Sequence, residues 1–79
     1  MTIEIKMPAF RGDEKSILCA WSVDEGDTVD VGDTLFEAEC DKVTSPCRAD
    51  SKMKITSILA DEGDEIAPGT TVALAEAVN

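Results

Sequence analysis

The chain carries one pattern twice. Residues 24–39 read DEGDTVDVGDTLFEAE and residues 61–76 read DEGDEIAPGTTVALAE, an offset of 37. Eight of the sixteen aligned positions are identical: Asp24/Asp61, Glu25/Glu62, Gly26/Gly63, Asp27/Asp64, Gly32/Gly69, Thr34/Thr71, Ala38/Ala75 and Glu39/Glu76. Val29/Ile66 and Leu35/Val72 differ only in the shape of an apolar side chain. A solenoid needs at least about three such units. Two units instead predict a closed body with an internal pseudo-twofold axis, its halves about 1–41 and 42–79 within a single domain spanning 1–79. A chain of this length buries only about 60% of the surface that its unfolded form exposes. That supports one modest core and leaves little room for a deep catalytic cleft.

Each half is marked as β structure. Short runs rich in Val, Ile, Leu and Thr alternate with Gly-Asp or Pro-Gly turns, and no window has a helical period with caps. The predicted strands are 2–6, 16–23, 28–31, 34–40, 43–48, 52–60, 65–67 and 71–77, four in each half. Two four-stranded antiparallel sheets, packed face to face or closed into a flattened barrel, would bury one side of every strand. Along 34–40, Phe36, Ala38 and Cys40 share one parity and are expected inside, with Glu37 and Glu39 outside. Trp21 and Ile58 occupy equivalent positions and are expected to meet in the core. Lys42 is equivalent to Asn79, so the hairpin after strand 34–40 and the end of the chain should lie at opposite poles.

The charge balance narrows the function. Seventeen acidic residues against seven basic ones give a net charge of −10. A field of that sign repels nucleic acid and anionic membrane, and it favours solubility and basic partner surfaces. No apolar run approaches the roughly 20 residues of a membrane helix. The first residues form neither a signal peptide nor an Arg- and Ser-rich transit peptide. The expected location is the cytoplasm, or the mitochondrial matrix for a domain excised from a longer precursor. Cys19, Cys40 and Cys47 form no C-x-x-C pair and the chain has no histidine. That is no basis for a structural zinc site and removes the usual general base for Ser or Cys catalysis. Free thiols suit a reducing compartment. Asp24, Asp27, Asp30 and Asp33 recur every three residues, whereas a calcium-binding EF-hand loop needs ligands two apart and a Glu at its twelfth position. Counted from Asp24, that position is Leu35, so these aspartates read as solvated strand connections.

Between two predicted strands stands Glu39-Cys40-Asp41-Lys42-Val43, with Asp41-Lys42 in a tight turn. With its flanks, this segment resembles the lipoyl-attachment motif, usually E-T-D-K-A or E-S-D-K-A. The resemblance covers nearly the whole chain. Lys6-Met7-Pro8-Ala9 is similar to the family's opening strand and loop. Trp21 to Leu35 is similar to its W-x-V-x-x-G-D-x-V-x-x-G-D-x-L segment, and Glu62-Gly63-Asp64 to its second-half turn. The resemblance implies a barrel-sandwich hybrid, with lipoate joined by an amide to Lys42 and with Glu39, Cys40, Asp41 and Val43 as the recognition residues around it. It also implies the partners of a 2-oxo-acid (or acetoin) dehydrogenase complex: the thiamine-dependent dehydrogenase (E1), the acyltransferase core (E2), the dihydrolipoamide dehydrogenase (E3) and a lipoate ligase. On this reading the domain is a carrier and not itself a catalyst.

The chain departs from the pattern in places. Cys40 stands where Thr or Ser is usual, and Arg48-Ala49-Asp50-Ser51-Lys52-Met53 replaces a Pro-Ser-Pro-x-x-Gly stretch. The Glu-Gly pair before the second strand is missing, and the stretch from Pro8 to Trp21 is one residue shorter than common forms. That first loop helps partners choose their domain, so the departures bear on partner identity more than on the attachment lysine. Glu39 and Asp41 read either as marks for the lipoylating enzyme and E1 or as solvated turn carboxylates. Cys40 could exchange with a dithiolane, while its parity places it inward as a small hydrophobe. Three other readings compete. A biotinyl domain wants Met on both sides of its lysine, where this chain has Asp41 and Val43. The glycine-cleavage carrier is longer and has Val before its lysine. The last is an unmodified barrel used only for protein contacts.

Overall fold

The computed structural model describes residues 1–78, and Asn79 lies outside them. Among the described residues every regular element is a strand: β1 (Thr2–Lys6), β2 (Ser16–Trp21), β3 (Thr28–Val29), β4 (Thr34–Cys40), β5 (Val43–Arg48), β6 (Met53–Ile58), β7 (Glu65–Ile66) and β8 (Thr71–Ala77). They form two four-stranded antiparallel sheets, ordered β1-β8-β6-β3 and β5-β4-β2-β7. Exchanging β1–β4 with β5–β8 turns one order into the other. The expected barrel-sandwich with internal pseudo-twofold symmetry is what the chain adopts.

The repeat extends to the irregularities. A bulge between Leu18 and Ala20 in β2 is matched by one between Ile55 and Ser57 in β6, 37 residues on. The β4–β5 register slips between Thr34 and Phe36, and at the equivalent place Lys6 pairs with Thr71 while Ile5 pairs with Ala73. A bulge adds one residue to a strand and turns successive side chains to the same face. Leu35 and Phe36 are therefore both buried, as are Val72 and Ala73. Gly26 N donates to Ile55 O and Gly63 N donates to Leu18 O, again one contact written twice. Both glycines have φ near +95° (+97° and +94°), which only glycine adopts cheaply.

The expected inward set is confirmed: Phe36 and Ala38 are fully buried and Cys40 is buried, while Glu37 is exposed and Glu39 half-buried. Trp21 and Ile58 are half-buried and pack against the same core. Trp21 meets Phe36 edge to face, with ring centroids 5.0 Å apart, and its Nε1 donates to Ala60 O at 2.9 Å. Four strands are shorter than their sequence patterns: β2 stops at Trp21 rather than 23, β3 at Val29 rather than 31, β6 spans Met53–Ile58 rather than 52–60, and β7 stops at Ile66 rather than 67. Val23 and Ala60 explain two of these differences. Both are buried, but their backbones have left the ladder for the next turn, and apolar alternation reports burial rather than hydrogen bonding.

The two poles of the core are filled differently. Register makes Met7 equivalent to Ala49, and the repeat makes Ser16 equivalent to Met53. Each pole thus holds one methionine and one small residue, all buried, supplied from opposite strands. Volume is conserved although neither position is. Cutting the fully buried Phe36 to Ala should cost about 3–5 kcal/mol, most of the stability of a small domain. Urea denaturation followed by the fluorescence of the adjoining Trp21 should show it, against a change of at most about 0.5 kcal/mol for exposed Val31→Ala.

Candidate functional site

Strands β4 and β5 are paired out to Cys40 and Val43, which leaves Asp41 and Lys42 alone as the hairpin loop. Both have positive φ, +53° and +66°. Positive φ at both central residues marks the type I′ turn, whose twist suits two antiparallel strands and which usually takes Asn-Gly or Asp-Gly. Asp tolerates this region. A lysine there carries a local cost of about 1–2 kcal/mol, so the surrounding ladder holds Lys42 in a conformation that it would not choose. The result is an exposed primary amine on the outermost turn of the sheet.

The connection from β1 to β2, residues 7–15, lands beside this turn. The Arg11 guanidinium pairs with the Asp41 carboxylate. The Cys40 thiol lies 3.8 Å from Glu14 Oε2 and 3.9 Å from Lys15 O. Arg11 and Asp41 are both more than half exposed, so their pair contributes at most about 1 kcal/mol. Its effect is to hold the loop against the hairpin. Between loop and hairpin runs a groove of about 270 Å³, lined by Phe10, Arg11, Cys40, Val43 and Ser45. Deeper in the core, the hydroxyl of Ser16 is buried without a hydrogen-bond partner.

The structure gathers Glu39, Asp41, Lys42 and Val43 at one tip and places Cys40 beneath them. Glu39 is half-buried on the outer face between Ile17 and Thr44. Val43 is 62% exposed and Cys40 only 5%. Phe10 and Arg11 belong to the same tip. Sequence reasoning left them out because a contact across thirty positions, Arg11 to Asp41, leaves no local signal. The aspartates of the repeat turns serve the backbone: Asp27, Asp33 and Asp64 side chains accept from the amides of Asp24, Asp30 and Asp61. Glu62 and Glu25 occupy equivalent places and accept from the amides of Trp21 and Ile58.

The opposite pole holds the chain ends. Ala77 N donates to Met1 O and Val78 N donates to Lys52 O. Strand β8 runs to that pole from Thr71, which pairs with Lys6 at the start of the loop beside Lys42. The molecule measures 36 × 20 × 19 Å. The expectation for Asn79 itself falls outside the described residues, but Met1 and Val78 already lie at the far end from Lys42.

The family model Biotin_lipoyl, described as a biotin-requiring enzyme, matches residues 3–74. No curated protein sequence matches the chain. Among solved structures, the chain is similar to a single-chain, multi-domain long-chain acyl-CoA carboxylase. The TM-score is 0.84 at 13% identity, covering 99% of this chain and 7% of the carboxylase. At that identity the likeness is one of fold, and the chain spans only a small part of the carboxylase's length. It is also similar to the lipoyl domain of the 2-oxoglutarate dehydrogenase complex from Azotobacter vinelandii, with a TM-score of 0.77 at 26% identity, covering 92% of this chain and 94% of that one.

Two measurements check the site's geometry. Lys42→Gly removes the left-handed strain but adds glycine's freedom in the unfolded chain. The net should be a gain of up to about 1 kcal/mol in thermal unfolding, and a loss would show that Lys42 is unstrained. Burial, with the charge of Asp50 adding to it, pushes the Cys47 thiol above its ordinary range, which leaves less thiolate to react. With a disulfide reagent at pH 8, half-buried Cys19 should react first, Cys47 more slowly and buried Cys40 last.

Proposed function

This chain belongs to the biotin- and lipoyl-attachment family, and we propose that within it the chain is a lipoyl carrier with Lys42 as the modified residue. The observation that carries the proposal is the hairpin tip. A strained two-residue turn presents one lysine at the pole farthest from the chain ends, flanked by Asp41 and Val43. The 26%-identical likeness to a lipoyl domain over 92% of the chain supports lipoate as the group. Biotin is the other cofactor of the family, and the absence of a Met on either side of Lys42 speaks against it.

The residues fit such a group. The Lys42 amine is exposed and able to form an amide, and acylation replaces its charge with a neutral linkage. When bound, the lipoyl group supplies acyl acceptance and two-electron dithiol–disulfide chemistry. The chain's own residues do the mechanical work. The β4–β5 ladder fixes the direction of the anchor, and Arg11 on Asp41 steadies the turn. The chain ends at the far pole leave the tip free to visit successive active sites. A tether there raises the effective concentration of the tip. Glu39, Asp41 and Val43 form the surface around the anchor that a lipoate ligase and the E1 component would read, and Cys40 supports it from below. The complex proposed is a 2-oxo-acid dehydrogenase, with E1, E2 and E3 as partners in a reducing compartment such as the cytoplasm.

Intact mass spectrometry tests the assignment. Incubation with lipoate, ATP and a lipoate ligase should add one lipoyl group to the folded protein and none to Lys42→Ala. A parallel incubation with biotin and a biotin ligase should add nothing. Modification of Lys6, Lys15, Lys52 or Lys54 instead would overturn the choice of residue, and no gain with several ligases would favour an unmodified adaptor.

A further inference from the structure

The pseudo-twofold is broken at the loop between β1 and β2. The connection between β1 and β2 is nine residues, Met7–Lys15, whereas its counterpart between β5 and β6 is four, Ala49–Lys52. The extra residues build something only at the Lys42 pole. Phe10 and Arg11 stand opposite the hairpin and form the second wall of the groove whose first wall is Cys40, Val43 and Ser45. Cys40 and Val43 directly flank the Asp41-Lys42 turn. By parity Val43 belongs with Ser45 and Cys47 on the core-facing side of β5, yet it is 62% exposed. Core-facing apolar surface is thus left uncovered one residue from the anchor.

We infer that this groove receives the distal part of the acyl arm carried on Lys42, so that the resting arm lies against the domain between Phe10 and Val43 rather than in solvent. The inference rests on the lipoyl reading. Three features select this occupant. The anchor adjoins the groove wall, so docking is intramolecular and costs little association entropy. The lining presents an aromatic ring, a branched alkyl group and a thiol, which suit a neutral chain ending in a sulfur ring and disfavour a charged lysine. Arg11, which lines the groove, pairs with Asp41, so the charge that it brings there is matched. The volume, about 270 Å³, falls just below the usual range for small-molecule pockets of about 300–1,000 Å³. That is room for the end of one acyl chain and too little for a nucleotide.

Amide spectra of the ¹⁵N-labelled protein before and after enzymatic lipoylation test this, with intact mass read on the same samples. Docking predicts shifts at Phe10, Arg11 and Ser45 as well as at Asp41–Val43, and nuclear Overhauser contacts from the arm's methylenes to the Phe10 ring. In Phe10→Ala, and in Phe10→Leu, which keeps an apolar side chain against the core, lipoylation should proceed while the Ser45 shift falls at least twofold in the first and less in the second. A mass gain with shifts confined to residues 41–43, unchanged in both variants, overturns the groove and leaves the carrier reading intact. Shifts at Phe10 and Ser45 that appear only when an E1 component is added assign the groove to the partner and overturn the inference. Absence of any mass gain overturns the carrier reading and this inference with it.

Discussion

Each sheet draws two strands from each half of the chain. β1 and β3 from the first half pair with β8 and β6 from the second, and β5 and β7 from the second pair with β4 and β2 from the first. Neither half can complete a sheet by itself, because its strands would be left as unpaired edges. Everything else depends on that exchange. It forces the ladder to form between residues far apart in the chain, β1 with β8 above all, which places the loop-closure cost before the reward. The core then gains Phe36, Leu18, Ile55 and Val72 together, each worth about 1.5–3 kcal/mol in transfer from water.

The exchange also explains how so small a body can hold a strained turn. The hairpin β4–β5 occupies one side of its sheet, with β4 between β5 and β2. Hydrogen bonding on both sides of β4 gives the tip little freedom, and the positive φ of Lys42 is maintained by its neighbours rather than by its own preference. At the other pole the equivalent end of β8 runs out into the chain terminus. One pseudo-symmetric architecture thus supplies a rigid tip at one pole and brings Met1 and Val78 together with Ala77 and Lys52 at the other.

Much of this was legible locally. The repeat predicted the two sheets and their relation, since equal patterns at a constant offset demand equal structures. Parity placed Phe36, Ala38 and Cys40 inside. Asp41-Lys42 could be read as a turn because it falls between two predicted strands and Asp favours turns, and the surrounding motif singled out Lys42. Strand ends were less legible at Val23 and Ala60, where burial continues after the ladder stops. The bulges at Leu35 and Val72 were not legible at all. A slip of register depends on what the partner strand presents, not on the residues that slip.

The sequence by itself determined the closed two-sheet architecture, the inward faces of its strands and the lysine at the turn, because repeat, alternation and turn chemistry act over a few neighbouring residues. Tertiary structure alone decided that Arg11 holds Asp41 and that Phe10 and Val43 leave a groove between them. Those depend on where a nine-residue loop lands once the sheets have closed. A landing point is set by packing across the whole fold, and no local pattern carries it.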